Sequence, residues 1–109
     1  MIHENLLPIK PEYRKGSIVN LMQSIIEAFN PNEEFEDEAY GSLEIFPKSR
    51  SKKASRIAFL VIDGLGQDLY NTLENQKSLD DWHQGTMTSV YPPTTASAIS
   101  TFLTGTAPK

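Results

Sequence analysis

Ile18, Leu21, Met22, Ile25, Ile26 and Phe29 recur at spacings of three and four, which places them on one helical stripe. Ser17 suits an N-cap, Gly16 frees the chain ahead of it, and Asn30-Pro31 supplies the stop. The pattern predicts an amphipathic helix within 16–30 that buries this stripe against a neighbour. Residues 32–42 read as an acidic connection, and Leu43–Phe46 as a short strand ended by Pro47. The run Ile57–Ile62 is apolar at all six positions. It is too short for a buried helix and lacks the alternation of a half-exposed strand, so it predicts a strand covered on both faces. Beyond Asp63-Gly64-Leu65-Gly66, the four-residue spacing of Leu65, Leu69 and Leu73 predicts a helix, and Leu79 and Trp82 are expected to pack in the loop after it. Thr86–Tyr91 alternates enough for a second strand, which Pro92 and Pro93 end. Ala96–Leu103 reads as a short helix with Gly105 as its stop and Pro108 beyond. The order strand, helix, strand, helix predicts an α/β fold with a mainly parallel sheet and flanking helices.

Composition narrows the setting. A chain of 109 residues is one domain. Ten basic against fourteen acidic residues leave −4, which argues against non-specific nucleic-acid or anionic-membrane binding. With no cysteine there is no disulfide, thiolate metal site or redox motif. No apolar run reaches the roughly 18 residues a membrane helix needs, and acids and prolines occupy the place of a signal peptide. A soluble, cytoplasmic chain is expected. Acids gather at Glu33, Glu34, Glu36, Asp37 and Glu38, and bases at Lys48, Arg50, Lys52, Lys53 and Arg56. Such clusters read as solvated loops. The basic stretch also lacks the interleaved aromatics of a nucleic-acid surface. The chain thus divides into a helix (16–30), a charged connection (31–55) and a strand-helix-strand-helix unit (56–109).

Chemistry has two places to sit. Asp63 directly follows the apolar run, and open α/β sheets bind ligands beyond the carboxyl ends of their strands. A carboxylate there suits a hard or borderline cation, and Gly64 and Gly66 let the backbone come close to a ligand. The same Asp-Gly string also serves as a simple turn. The second place is Tyr91-Pro92-Pro93-Thr94-Thr95-Ala96, where a hydroxyl enters a helix. Free backbone N–H groups and the helix dipole favour negative charge there, such as a phosphoryl oxyanion or an activated nucleophile. The plainer reading makes Thr94 or Thr95 an N-cap contributing about 1 kcal/mol. Taken together, an acidic ligand and a threonine on one divalent metal form a coherent pair, because a metal lowers the pKa of an oxygen it binds.

The runs IAFLVIDGLGQDLY and TSVYPPTTASAISTFLTG resemble the N-terminal part of the alkaline phosphatase superfamily, with the nearest likeness to its type I phosphodiesterase/nucleotide pyrophosphatase branch. Residues 16–25, GSIVNLMQSI, are similar to the start of bacterial members. The resemblance covers about residues 55–108. It implies that Asp63 is the first metal ligand and that Thr95 is the nucleophile, also bound to metal, with backbone N–H groups near Ala96 on the phosphoryl oxygens. It implies two divalent ions, usually zinc, with manganese or magnesium as other possibilities. The substrate implied is a small phosphodiester or nucleotide pyrophosphate. Thr95 would form a covalent phospho- or nucleotidyl-threonine that water then resolves.

The family supplies further metal-binding aspartates and histidines far downstream of the nucleophile. This chain ends at Lys109 before any of them, and neither His3 nor His83 falls at a family ligand position. The expectation is the N-terminal portion of a longer enzyme, inactive by itself, since a catalytic zinc takes three protein ligands. Other readings stay open: a phosphomutase or phosphomonoesterase of the same superfamily, or a non-catalytic α/β domain. An aspartate-nucleophile phosphatase would want an acid at position 65, which is Leu.

Overall fold

Ser17 begins the first helix as its sequence predicts. In the computed structural model, which describes residues 9–30, 40–46, 54–74 and 77–109, α1 spans Ile18–Phe29. The Ser17 Oγ accepts the Val19 N–H at 3.2 Å, and the Ser17 N–H donates to Asn20 Oδ1 at 2.9 Å. This is a capping box in which Asn20 fills the place usually held by Glu or Gln. Asn30 ends the helix. The acidic run 33–38, Pro47 and the basic residues at 48, 50, 52 and 53 lie outside the described residues.

The face that α1 buries differs from the predicted one. Ile18 and Val19 are buried with the polar Asn20 and Ser24, while Leu21, Met22, Ile25 and Ile26 are half-buried and Phe29 is exposed. The cause is a polar row one helical turn long that holds two loops. Asn20 Nδ2 donates to the carbonyls of Tyr13 and Gly41, each at 2.8 Å, and its Oδ1 also accepts the Ser17 hydroxyl. Ser24 Oγ accepts the Leu43 N–H at 2.8 Å. Buried polar groups persist only when hydrogen-bonded, and here they are.

Residues 43–46 form a turn rather than the predicted strand. The Phe46 N–H donates back to the Leu43 carbonyl, and the Gly41 and Glu44 N–H groups donate to Arg14 and Lys15. The N–H groups of Gly41, Leu43 and Glu44 are thus taken by the 13–17 loop and by α1.

The expectation of an α/β fold with a mainly parallel sheet is overturned. Among the described residues there is no sheet; the β pairing found is a single parallel bridge between Ser17 and Thr88. Thr86–Tyr91 is not a regular strand, because its pairing stops at that one bridge: the Thr88 N–H donates to Gly16 and the Thr88 carbonyl accepts from Ile18, and no further ladder bond follows among the described residues. Ile57–Ile62 is extended but has no backbone hydrogen bond to any described residue. Nor is it covered on both faces. Phe59 and Val61 are each 44% exposed, whereas Leu60 and Ile62 are 81% and 61% exposed. That alternation marks a strand-like segment with one face against a neighbour and the other bare.

The helix predicted from Leu65, Leu69 and Leu73 is cut to one turn, α2 (Gln67–Tyr70), followed by α3 (Lys77–Asp80). Leu79 and Trp82 do not pack as expected and are both exposed. The last helix, α4, spans Thr95–Thr104 and ends at Gly105 with φ +69°. A small core forms where α4 meets α1: Ile18, Val19 and Val90, flanked by Tyr13, Tyr40, Ala98, Phe102 and Ala107. Gly105 closes that contact, since a Cβ there would lie 2.9 Å from Ile26 Cδ1, and its carbonyl accepts from Gln23 Nε2 at 2.8 Å. No helix among the described residues is long and apolar enough to cross a membrane.

Candidate functional site

Residues 57–63 run alongside α4 in the opposite direction. Phe59 meets Phe102 edge to face, with ring centroids 5.2 Å apart, and four residues on Asp63 meets Thr95. Phe59 and Asp63 share one side of the extended segment, because side chains alternate. The covered face of the segment is thus the face that carries the carboxylate. Gly64 then turns the chain away with φ +73°, a conformation that favours glycine.

On the helix side the turn is held from two directions. The Tyr91 N–H donates to the Tyr13 hydroxyl at 3.0 Å, and the Thr94 N–H donates to the Pro92 carbonyl at 2.8 Å. The Tyr91–Pro92 peptide is cis. Capping falls to Thr94: its Oγ1 accepts the Ser97 N–H at 3.2 Å and donates to Ser97 Oγ at 2.9 Å. Thr95 has no capping role, and its Oγ1 donates to Asp63 Oδ2 at 3.3 Å. The two adjacent hydroxyls therefore have different tasks, which resolves the choice the sequence left open over the cap.

Asp63 and Thr95 are both exposed, so this pair is open to solvent. The N–H groups of Thr95 and Ala96 find no acceptor among the described residues and belong to the positive end of α4. The site thus gathers one carboxylate, one hydroxyl and two N–H donors. The donor set fits two positions on a hard or borderline divalent cation. Among the described residues no group of three His, Cys, Asp or Glu side chains could complete such a site. His83 takes no part. Its ring stacks on Tyr70 at 5.2 Å, and the Tyr70 hydroxyl donates to Asp80 Oδ1 at 2.8 Å.

Sequence reasoning missed Tyr13, the tether of the 91–95 turn, which lies 78 residues before its partner. A lone tyrosine in a loop carries no local pattern that could have signalled this contact. No family model, curated protein or solved structure matches the chain.

Proposed function

We propose that Thr95 is the nucleophile, and Asp63 the first metal-binding carboxylate, of a metal-dependent hydrolase of phosphodiester or nucleotide pyrophosphate bonds. The observation that carries this reading is the Thr95 Oγ1–Asp63 Oδ2 hydrogen bond across 32 positions of sequence. A threonine that only capped α4 would need no such partner, and Thr94 already does the capping. The resemblance of VIDGLG and YPPTTASAISTFLTG to the phosphodiesterase branch of the alkaline phosphatase superfamily supports the same roles. The cytoplasmic setting expected from the cysteine-free composition goes with it.

In this mechanism Asp63 orients the Thr95 hydroxyl by accepting its proton in a hydrogen bond, which turns an oxygen lone pair toward the phosphorus. The N–H groups of Thr95 and Ala96 donate to non-bridging phosphoryl oxygens, where negative charge collects in the transition state. The Oγ–H proton passes to Asp63 as an Oγ–P bond forms and the P–O bond to the leaving group breaks, and the leaving oxygen keeps that electron pair and takes up a proton from solvent. Water then adds to phosphorus and the Oγ–P bond breaks, returning the hydroxyl. Asp63 and Thr95 would hold a divalent cation, which would supply Lewis acidity and lower the hydroxyl pKa.

The test is hydrolysis of bis(p-nitrophenyl) phosphate by the zinc-supplemented longer parent, since this chain alone is expected to be inactive. Thr95→Ala is expected to lower the rate at least about 10³-fold with the melting temperature unchanged. Retention of the wild-type rate would sink the assignment. Asp63→Asn keeps the shape and removes the charge, and should weaken zinc binding at least about tenfold.

A further inference from the structure

Beside the 91–95 turn lies an open groove of about 390 Å³, lined by residues of two segments, among them Ile9 and Pro11 from one and Met87, Val90, Tyr91 and Pro93 from the other. Its size is within the roughly 300–1,000 Å³ range of small-molecule sites. Pro93 lines it and stands two residues from Thr95, so their Cα atoms are at most about 7 Å apart. A group in the groove and a phosphorus at Thr95 therefore fit within one small molecule.

The chemistry of the lining defines that group. The Thr88 hydroxyl, also in the wall, accepts the Glu12 N–H at 2.9 Å and leans on the Gly16 carbonyl at 3.4 Å. The Tyr91 N–H is taken by Tyr13. With these groups engaged, the wall offers apolar surface, with the Ser89 hydroxyl as its spare polar contact. Tyr91 is 66% exposed and presents a free aromatic ring, and Met87 is 43% exposed and presents a thioether. Aromatic rings prefer such surroundings: offset or edge contacts with another ring, and sulfur near the ring edge.

We propose that this groove binds the aromatic group of an aryl phosphate ester whose phosphorus lies at Thr95. The proposal rests on the reading of Thr95 as nucleophile and names the ester class that the site selects. Phenylphosphonate and methylphosphonate, which carry the same phosphoryl group on a ring or a methyl, are the probes. Each is titrated into zinc-supplemented protein labelled with ¹³C at the methionine methyls, the Met87 signal being assigned by its loss in Met87→Leu.

Phenylphosphonate should bind at least about tenfold more tightly than methylphosphonate and shift the Met87 methyl. Tyr91→Ala, at an exposed position that leaves the core untouched, should abolish that preference. Equal binding of the two phosphonates with the Met87 methyl unmoved overturns the groove and leaves the Thr95–Asp63 reading standing. Phenol alone is the control that separates the two. If it shifts Met87 while neither phosphonate binds, the groove holds an aromatic ring and the reading of Thr95 fails.

Discussion

Asp63 and Thr95 stand 3.3 Å apart, oxygen to oxygen, although 32 positions separate them along the chain. The contact comes from two chain segments laid in opposite directions, with Phe59 on Phe102 at one end and the carboxylate on the hydroxyl at the other. A site of this kind needs no sheet. It needs an extended segment ending in a carboxylate and a helix beginning with a free hydroxyl.

The division of labour between the two threonines is testable by stability and activity together. Thr94→Ala removes the cap of α4 and should cost about 1 kcal/mol in urea unfolding. Thr95→Ala should change stability by less than about 0.5 kcal/mol, because its exposed hydroxyl caps nothing. Only the second should abolish p-nitrophenol release by the longer parent.

Asn20 ties the N-terminal half together through bonds to Ser17, Tyr13 and Gly41. Asn20→Ala leaves the buried amide of Ser17 and the part-buried carbonyl bonds to Tyr13 and Gly41 without their partner, at a cost of about 1–3 kcal/mol. Chemical denaturation measures it. A loss below 0.5 kcal/mol would show that water replaces those bonds freely.

Gly105 combines a left-handed backbone with close approach to Ile26. Gly105→Ala should destabilise by about 2 kcal/mol, from the φ penalty together with the displaced Ile26 side chain. The loss should appear as a lower melting temperature. A neutral result would mean that α4 and α1 separate at little cost.

The bare side of residues 57–62 allows a direct contrast. Leu60→Lys should leave stability within about 0.5 kcal/mol, since Leu60 is 81% exposed. Val19→Ala, at a fully buried position, should cost about 1–3 kcal/mol. If Leu60→Lys proved as damaging as Val19→Ala, the outer face would be covered in solution.

Tyr70 supplies a pH signature. Partial burial of its ring, then the hydrogen bond to Asp80 and that residue's negative charge, raise its pKa above the ordinary 10.0. A raised folded-state value means its contribution to stability is full below pH 10 and is lost as pH climbs through the folded-state value. Tyrosinate absorbance should show Tyr70 ionising after a free tyrosine, and Asp80→Asn should lower its midpoint.

Local signals were legible along the chain wherever the interaction spans a few residues. Ser17 as cap, Asn30 as stop, α4 between Thr94 and Gly105, and the turn at Gly64 all follow from side chains acting on their own backbone neighbours. Asp63 and Thr95 do meet, but through a segment laid along α4 and not at the shared edge of a parallel sheet that the predicted α/β fold implied. The burial of α1 was not legible. Its apolar stripe was plain, yet Asn20 and Ser24 draw the loops at 13 and 41–43 over the polar side.

The amino-acid sequence by itself thus determined where α1 and α4 begin and end and which two oxygens could share a site. Tertiary structure alone decided that Ile57–Ile62 stays unpaired among the described residues and that Thr88 bonds to Gly16 and Ile18. The physical reason is range. Caps and turns are settled by neighbours a few residues away, whereas strand pairing and burial depend on backbone partners some 70 positions distant, for which periodicity holds no record.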